Sequence, residues 1–197
     1  SYGMSPENNY VYYNILTPGY ENNAVYYKSI KSIGASSAED KSIIINEISA
    51  GEQTSIYDED GDFSDFIELY NTSDQPVDIG GYFLSDDSEK TAKYALPDYT
   101  MQPGEYLIVF ASGKNKSDGG YIHTNFKLST EGETLVLTSP DQSYQYTFSY
   151  PLGDIPDVSY GNLQPGNEKG WFSSPSPSYL NSKESFSTVC NPPVLSH

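Results

Sequence analysis

A single cysteine, Cys190, is all that the 197 residues supply, so no internal disulfide framework can hold the fold together. Stability has to come from a packed core. A core of ~150 residues buries roughly 68–70% of the surface of its unfolded chain, enough to fold without a cross-link or a metal. Long apolar runs are missing as well. None approaches the ~18 residues of a membrane-crossing helix, which argues against membrane insertion. Basic residues are few: 10 Lys and Arg stand against 27 Asp and Glu, a formal net charge of −17. Such an excess of carboxylate repels phosphate backbones and anionic lipid, which argues against nucleic acid and bilayer surfaces as partners. Cations, basic protein surfaces and neutral glycans are left.

Helical patterning is also scarce, since no amphipathic stretch of helical period runs beyond two turns. What is abundant suits short strands and tight turns. The chain holds 19 Tyr, 16 Gly and 13 Pro; Tyr fits a half-buried pleated surface, while Gly and Pro set turn dihedrals. This usage, with Ser and Asn common and Lys rare, is that of an extracellular protein, so a secreted or cell-surface location is expected. Between residues 42 and 182 the pattern has period two with turn punctuation. Strands are predicted at 42–49 (SIIINEIS), at 66–71 with Ile67 and Leu69 inward, at 82–84 after Gly80-Gly81, and at 93–96. More are predicted at 105–111 after the Pro103-Gly104 turn, and at 133–138 and 144–150 flanking a hairpin turn at 139–142. Seven to nine short strands in ~140 residues predict an all-β, immunoglobulin-like sandwich.

The chain nearly repeats its ending at its beginning. Ser1-Tyr2-Gly3, then Asn8 and Asn9, then Thr17-Pro18-Gly19-Tyr20-Glu21-Asn22-Asn23 form one series. Ser159-Tyr160-Gly161, then Pro165-Gly166-Asn167, Trp171-Phe172 and Ser176-Pro177-Ser178-Tyr179-Leu180-Asn181-Ser182 form the other. Their spacing differs by one residue. Three matches in the same order predict that residues 1–23 are the closing segment of a preceding copy of a domain, and that 42–182 are a whole copy. Residues 24–41 then read as a linker. Residues 183–197 read as a linker leading into a further module, and any export signal is expected upstream.

The order of motifs within 42–182 resembles the lamin-tail domain family. The blocks that carry the resemblance begin with 44–49 (IINEIS), an acidic loop, and 65–71 (DFIELYN), where bacterial members usually show Trp at the place of Phe66. They continue with 77–82 (VDIGGY), 84–87 (LSDD), 103–109 (PGEYLIV), 125–129 (NFKLS), 132–137 (GETLVL) and 157–161 (DVSYG). The resemblance implies an immunoglobulin-like attachment or interaction module of a large exported bacterial protein. Copies often sit beside kinase-like regions of the spore-coat H type, nucleases or other hydrolases, or chitobiase-like modules. Residues 192–196 (PPVLS) are similar to the start of a chitobiase-like module.

Several residues invite chemistry. Asp58, Asp60, Asp62 and Asp65 set carboxylates along a loop that Gly61 turns, which is the kind of oxygen array Ca²⁺ uses. The order is not that of an EF-hand, and a solvated acidic turn is the plainer alternative; Asp86 and Asp87 could add oxygens. Glu47 and Glu68 occupy corresponding places on two strands, but glycosidase chemistry needs a cleft between its carboxyls, and none is legible. Each is expected to point outward or to bond a nearby turn amide. His123 has no serine or cysteine partner motif, and two His with one Cys do not make a usual zinc set. No glycine loop precedes a helix in the manner of a phosphate site. Trp171, Phe172 and Tyr82 are candidate surface rings for a protein or a glycan, with core packing as the first alternative.

The expected function is therefore that of a non-catalytic structural or interaction module with no cofactor beyond Ca²⁺. It would space or dock neighbouring domains of its own chain, or bind protein or cell-envelope surfaces. A carbohydrate-binding module that targets an attached hydrolase is the alternative.

Overall fold

The computed structural model describes residues 42–118, 120–153, 155–163, 168–181 and 184–187, together with the backbone of three short N-terminal strands. These three are β1 (Tyr2–Met4), β2 (Tyr10–Tyr13) and β3 (Tyr26–Tyr27), joined as a small antiparallel sheet in the order β1-β2-β3. The remaining residues of 1–41, and 188–197 with Cys190 and the chitobiase-like stretch, lie outside the described residues.

Thirteen strands build the main body, and no helix occurs among the described residues. The first seven are β4 (Ile43–Ser49), β5 (Phe66–Asn71), β6 (Val77–Asp78), β7 (Phe83–Ser85), β8 (Tyr94–Ala95), β9 (Thr100–Met101) and β10 (Tyr106–Phe110). The rest are β11 (Lys116–Asp118), β12 (Tyr121–His123), β13 (Glu133–Thr138), β14 (Gln145–Tyr150), β15 (Ser159–Asn162) and β16 (Lys169–Phe172). One sheet runs β11-β12-β10-β5-β4-β15-β16 and the other β14-β13-β7-β8, with β6 and β9 as a separate pair. The two larger sheets form an immunoglobulin-type sandwich. Its core is filled by Ile43, Ile45, Ile48, Ile67, Leu69, Leu84, Val109, Leu135, Leu137 and Phe148, all fully buried. β4, β5 and β13 lie within a residue of where the alternation placed them. The predicted seven to nine strands become thirteen because strands of two or three residues are too short to show a period.

β4 carries one irregularity: its pairing with β5 slips between Ile45 and Glu47. Side chains alternate with period two, so an extra residue in one strand exchanges the faces beyond it. Ile43 and Ile45 enter the core before the slip, and Ile48 and Ala50 enter it afterwards. The bulge leaves Asn46 and Glu47 together away from the core, and Glu47 comes opposite Glu68 of β5. On β5, Ile67 and Leu69 point inward as expected, yet Phe66 and Glu68 are buried too. This part of the sheet is covered on both faces.

Candidate functional site

The acidic loop is a tight hairpin closed by a bridge between Tyr57 and Phe63. Asp58 N donates to Asp62 O at 2.9 Å and Gly61 N to Asp58 O at 3.0 Å, with Gly61 at φ 82°. That left-handed conformation favours glycine. Asp58 Oδ1 accepts from the backbone of Asp60 and Asp62, and its Oδ2 from Ser64 Oγ. One oxygen of each of Asp58, Asp60 and Asp62 lies within 4.8 Å of the others. Into that cluster the structure places the Lys114 ammonium, 2.7 Å from Asp58, 2.7 Å from Asp60 and 2.9 Å from Asp62. Lys116 reaches Asp60 at 2.8 Å and Glu59 at 2.6 Å. The two ammoniums, Lys114 first, hold the Asp60 carboxyl down at about 2. Burial works against ionisation of Asp58, but hydrogen bonds from Lys114 and Ser64 outweigh it and lower its pKa.

Asp65 does not join the other three. Its Oδ1 accepts from Gly51 N at 2.7 Å and Glu52 N at 3.2 Å, and burial raises its pKa. It fastens the loop to the end of β4. Asp86 pairs with Lys93.

His123 is fully buried on β12, its ring stacked on Phe110 at 5.3 Å. Its Nε2 lies 2.9 Å from Glu59 Oε2 and its Nδ1 2.9 Å from Ser112 Oγ. Serine, imidazole and carboxylate in this order have the connectivity of a hydrolase triad. Sequence reasoning missed the set because its members belong to three separate loops and strands, 11 and 64 residues apart. The parallel pairing of β10 with β12, formed where Phe110 meets His123, brings them together. The recess beside Ser112 is lined by Phe63, Ser64, Asp65, Ala111 and Lys127 and measures about 100 Å³. Small-molecule pockets commonly span ~300–1,000 Å³. Ser112 Oγ also accepts from Lys114 N at 3.2 Å, so the hydroxyl serves as a loop fastener.

The aromatic candidates are corrected by burial. Tyr82 and Trp171 are 3% exposed and Phe172 1%, so none presents a ring to a partner. Trp171 packs on Tyr160, with centroids 5.0 Å apart, and its ring tip fills the space over Gly153. The exposed rings lie elsewhere. Tyr57 is 68% exposed and Phe63 47%, and the two meet edge to face at 6.4 Å on the acidic loop.

Glu47 and Glu68 are not outward strand residues either, for both are fully buried. Their other expectation, bonding to turn amides, describes what they do. Glu47 accepts from Ser159 Oγ and from Ser176 N and Oγ. Glu68 accepts from Asn46 Nδ2 at 2.8 Å and Ser178 N at 2.5 Å. Asn181 completes the set, taking a hydrogen bond from Asn46 and giving one to Asn162 O. The segment 176–181 thus lies over the two glutamates as a cover, in the place where an acid–base mechanism would need a cleft.

Residues 36–151 match the family described as Lamin Tail Domain, which is more than half of the chain. No curated protein and no solved structure matches it.

Proposed function

The chain belongs to the lamin-tail domain family, and from that premise we propose a non-catalytic docking module of an exported multidomain protein. Family membership makes an immunoglobulin-like interaction module the coarse reading. The finer one is that it joins neighbouring domains or envelope proteins through its acidic hairpin. The observation that carries this is the Tyr57–Phe63 pair, two large exposed rings at the closing bridge of the acidic hairpin. Aromatic anchors ringed by polar groups are the usual centre of protein interfaces. The ammonium-tied carboxylates beside them fix the loop geometry in advance, which lowers the ordering cost of binding. A partner with a basic rim suits the overall charge.

Immobilised full chain would be presented with a cell-envelope protein fraction and, separately, with insoluble polysaccharides. Combining Tyr57→Ser with Phe63→Ser should reduce protein retention by roughly tenfold or more, as truncation of anchor residues does. Exposed Tyr179→Ser should leave it intact. Equal retention by the double variant sinks the hairpin as the docking site. Polysaccharide retention that survives in its place favours the carbohydrate-binding alternative. The non-catalytic part of the reading expects a fluorophosphonate probe to leave Ser112 unlabelled.

A further inference from the structure

We infer that the sheet β1-β2-β3 is a second closing unit, made to complete the β4 edge of another lamin-tail sandwich as β15 and β16 complete this one. The backbone registers are the first ground. β15 and β16 pair antiparallel with Tyr160 opposite Trp171, and β1 and β2 pair antiparallel with Tyr2 opposite Tyr12. The connecting loop is one residue shorter in the N-terminal copy. The third partner also agrees. Trp171 bridges to Phe186, and Tyr12 pairs with Tyr27, each fifteen residues further on. Two units in one chain, each a strand pair with a third antiparallel partner (β3 in one, the Phe186 bridge in the other), therefore share order, direction and register.

The second ground is what the repeated residues do in the C-terminal copy. β15 lies against β4, where Gly161 is the partner of Glu47. A Cβ at Gly161 would sit 2.7 Å from Asn46 O and 2.7 Å from Asn181 Nδ2, so only glycine allows the approach to the bulge. Ser159, Ser176 and Asn181 supply side-chain partners to the buried Glu47–Asn46–Glu68 group. Ser178 stands at φ 69° to aim its N–H at Glu68. In the N-terminal copy these positions carry Ser1, Gly3, Thr17, Gly19 and Asn22. The hydroxyl, glycine and amide types recur in sequence, with glycine at the place of Ser178, whose φ of 69° favours glycine. Met4 departs, standing where Asn162 donates to Ile45 O. Among the described residues β1 is an edge strand, and its free side is the side that β15 gives to β4. The fitting partner is therefore a bulged strand carrying a buried glutamate beside a second strand that carries another, as in a second lamin-tail sandwich. This surface is separate from the Tyr57–Phe63 hairpin, so either idea can fail alone.

The test is a hybrid of the 197-residue chain in which 159–186 is replaced by the sequence of residues 1–27, compared with a scrambled segment of equal composition. Hydrogen exchange of the β4 amides is the readout. The hybrid should protect them at least tenfold better than the scrambled control, and Gly3→Val within it should abolish that gain. A poor junction could imitate failure, so the intact chain provides a second arm. There Gly161→Val displaces the resident hairpin and should yield a concentration-dependent dimer by light scattering, which adding Gly3→Val returns to monomer. A Gly3-sensitive result in either arm sustains the inference. Failure of both overturns it.

Discussion

Glu47 and Glu68 stand opposite one another on β4 and β5, both without solvent exposure. Burial is the main cause that raises the Glu68 pKa, to about 8, against the lowering effect of Asn46 and Ser178, and the neighbouring Glu47 adds to the rise. Glu47 is raised as well, again chiefly by burial. Both groups hold protons in the folded chain that the unfolded chain gives up near pH 4.5.

Above that unfolded value the native state binds more protons, so stability falls as pH rises until the folded pKa is passed. Each pH unit in that window costs up to about 1.4 kcal/mol for Glu68. The melting temperature should therefore decline between about pH 5 and about pH 8, the range set by its unfolded and folded pKa values. Glu68→Gln cannot ionise and should flatten that decline. An equal slope in the variant would show that other groups carry it.

Trp171 is the single tryptophan of the chain, and its Cη2 would lie 2.1 Å from a Cβ placed on Gly153. Gly153→Ala must therefore move a buried ring that also packs on Tyr160. Overpacking of this kind costs roughly 1–3 kcal/mol. Chemical unfolding monitored by Trp171 fluorescence should show the loss. Combining Gly153→Ala with Trp171→Phe, read by circular dichroism, should recover part of it because the smaller ring leaves room. Additive losses in the double variant would mean that the two sites do not share a contact.

The sheets were legible where residues are β-branched and alternate, as at Ile43–Ser49 and Glu133–Thr138. The bulge was not, because Asn46 adds no break to a run of isoleucines; only pairing with β5 reveals it. The acidic residues were legible as a cluster, but their partner Lys114 lies more than fifty residues away and belongs to no motif. A separation of 64 residues likewise hid the contact of Glu59 with His123. Burial of Trp171 was undecidable from composition, since a ring at a strand end reads alike whether Gly153 opposes it or solvent does.

The position of Lys114 decides how the acidic loop should respond to calcium. Its ammonium lies within 2.9 Å of three carboxylates that a hard cation would also use, and Ca²⁺ needs about six to eight oxygens to displace it. The intact chain should therefore melt at the same temperature in EDTA and in millimolar Ca²⁺. Lys114→Met removes the resident charge and leaves Asp58, Asp60 and Asp62 repelling one another, so its melting temperature should drop in EDTA. Calcium should then restore it, because a ligand at a hundred times its Kd adds about 2.7 kcal/mol of stability. A melt of the intact chain that already rises with Ca²⁺ would show that the lysine yields its place. A Lys114→Met chain indifferent to Ca²⁺ would show that three carboxylates without further oxygens make no site.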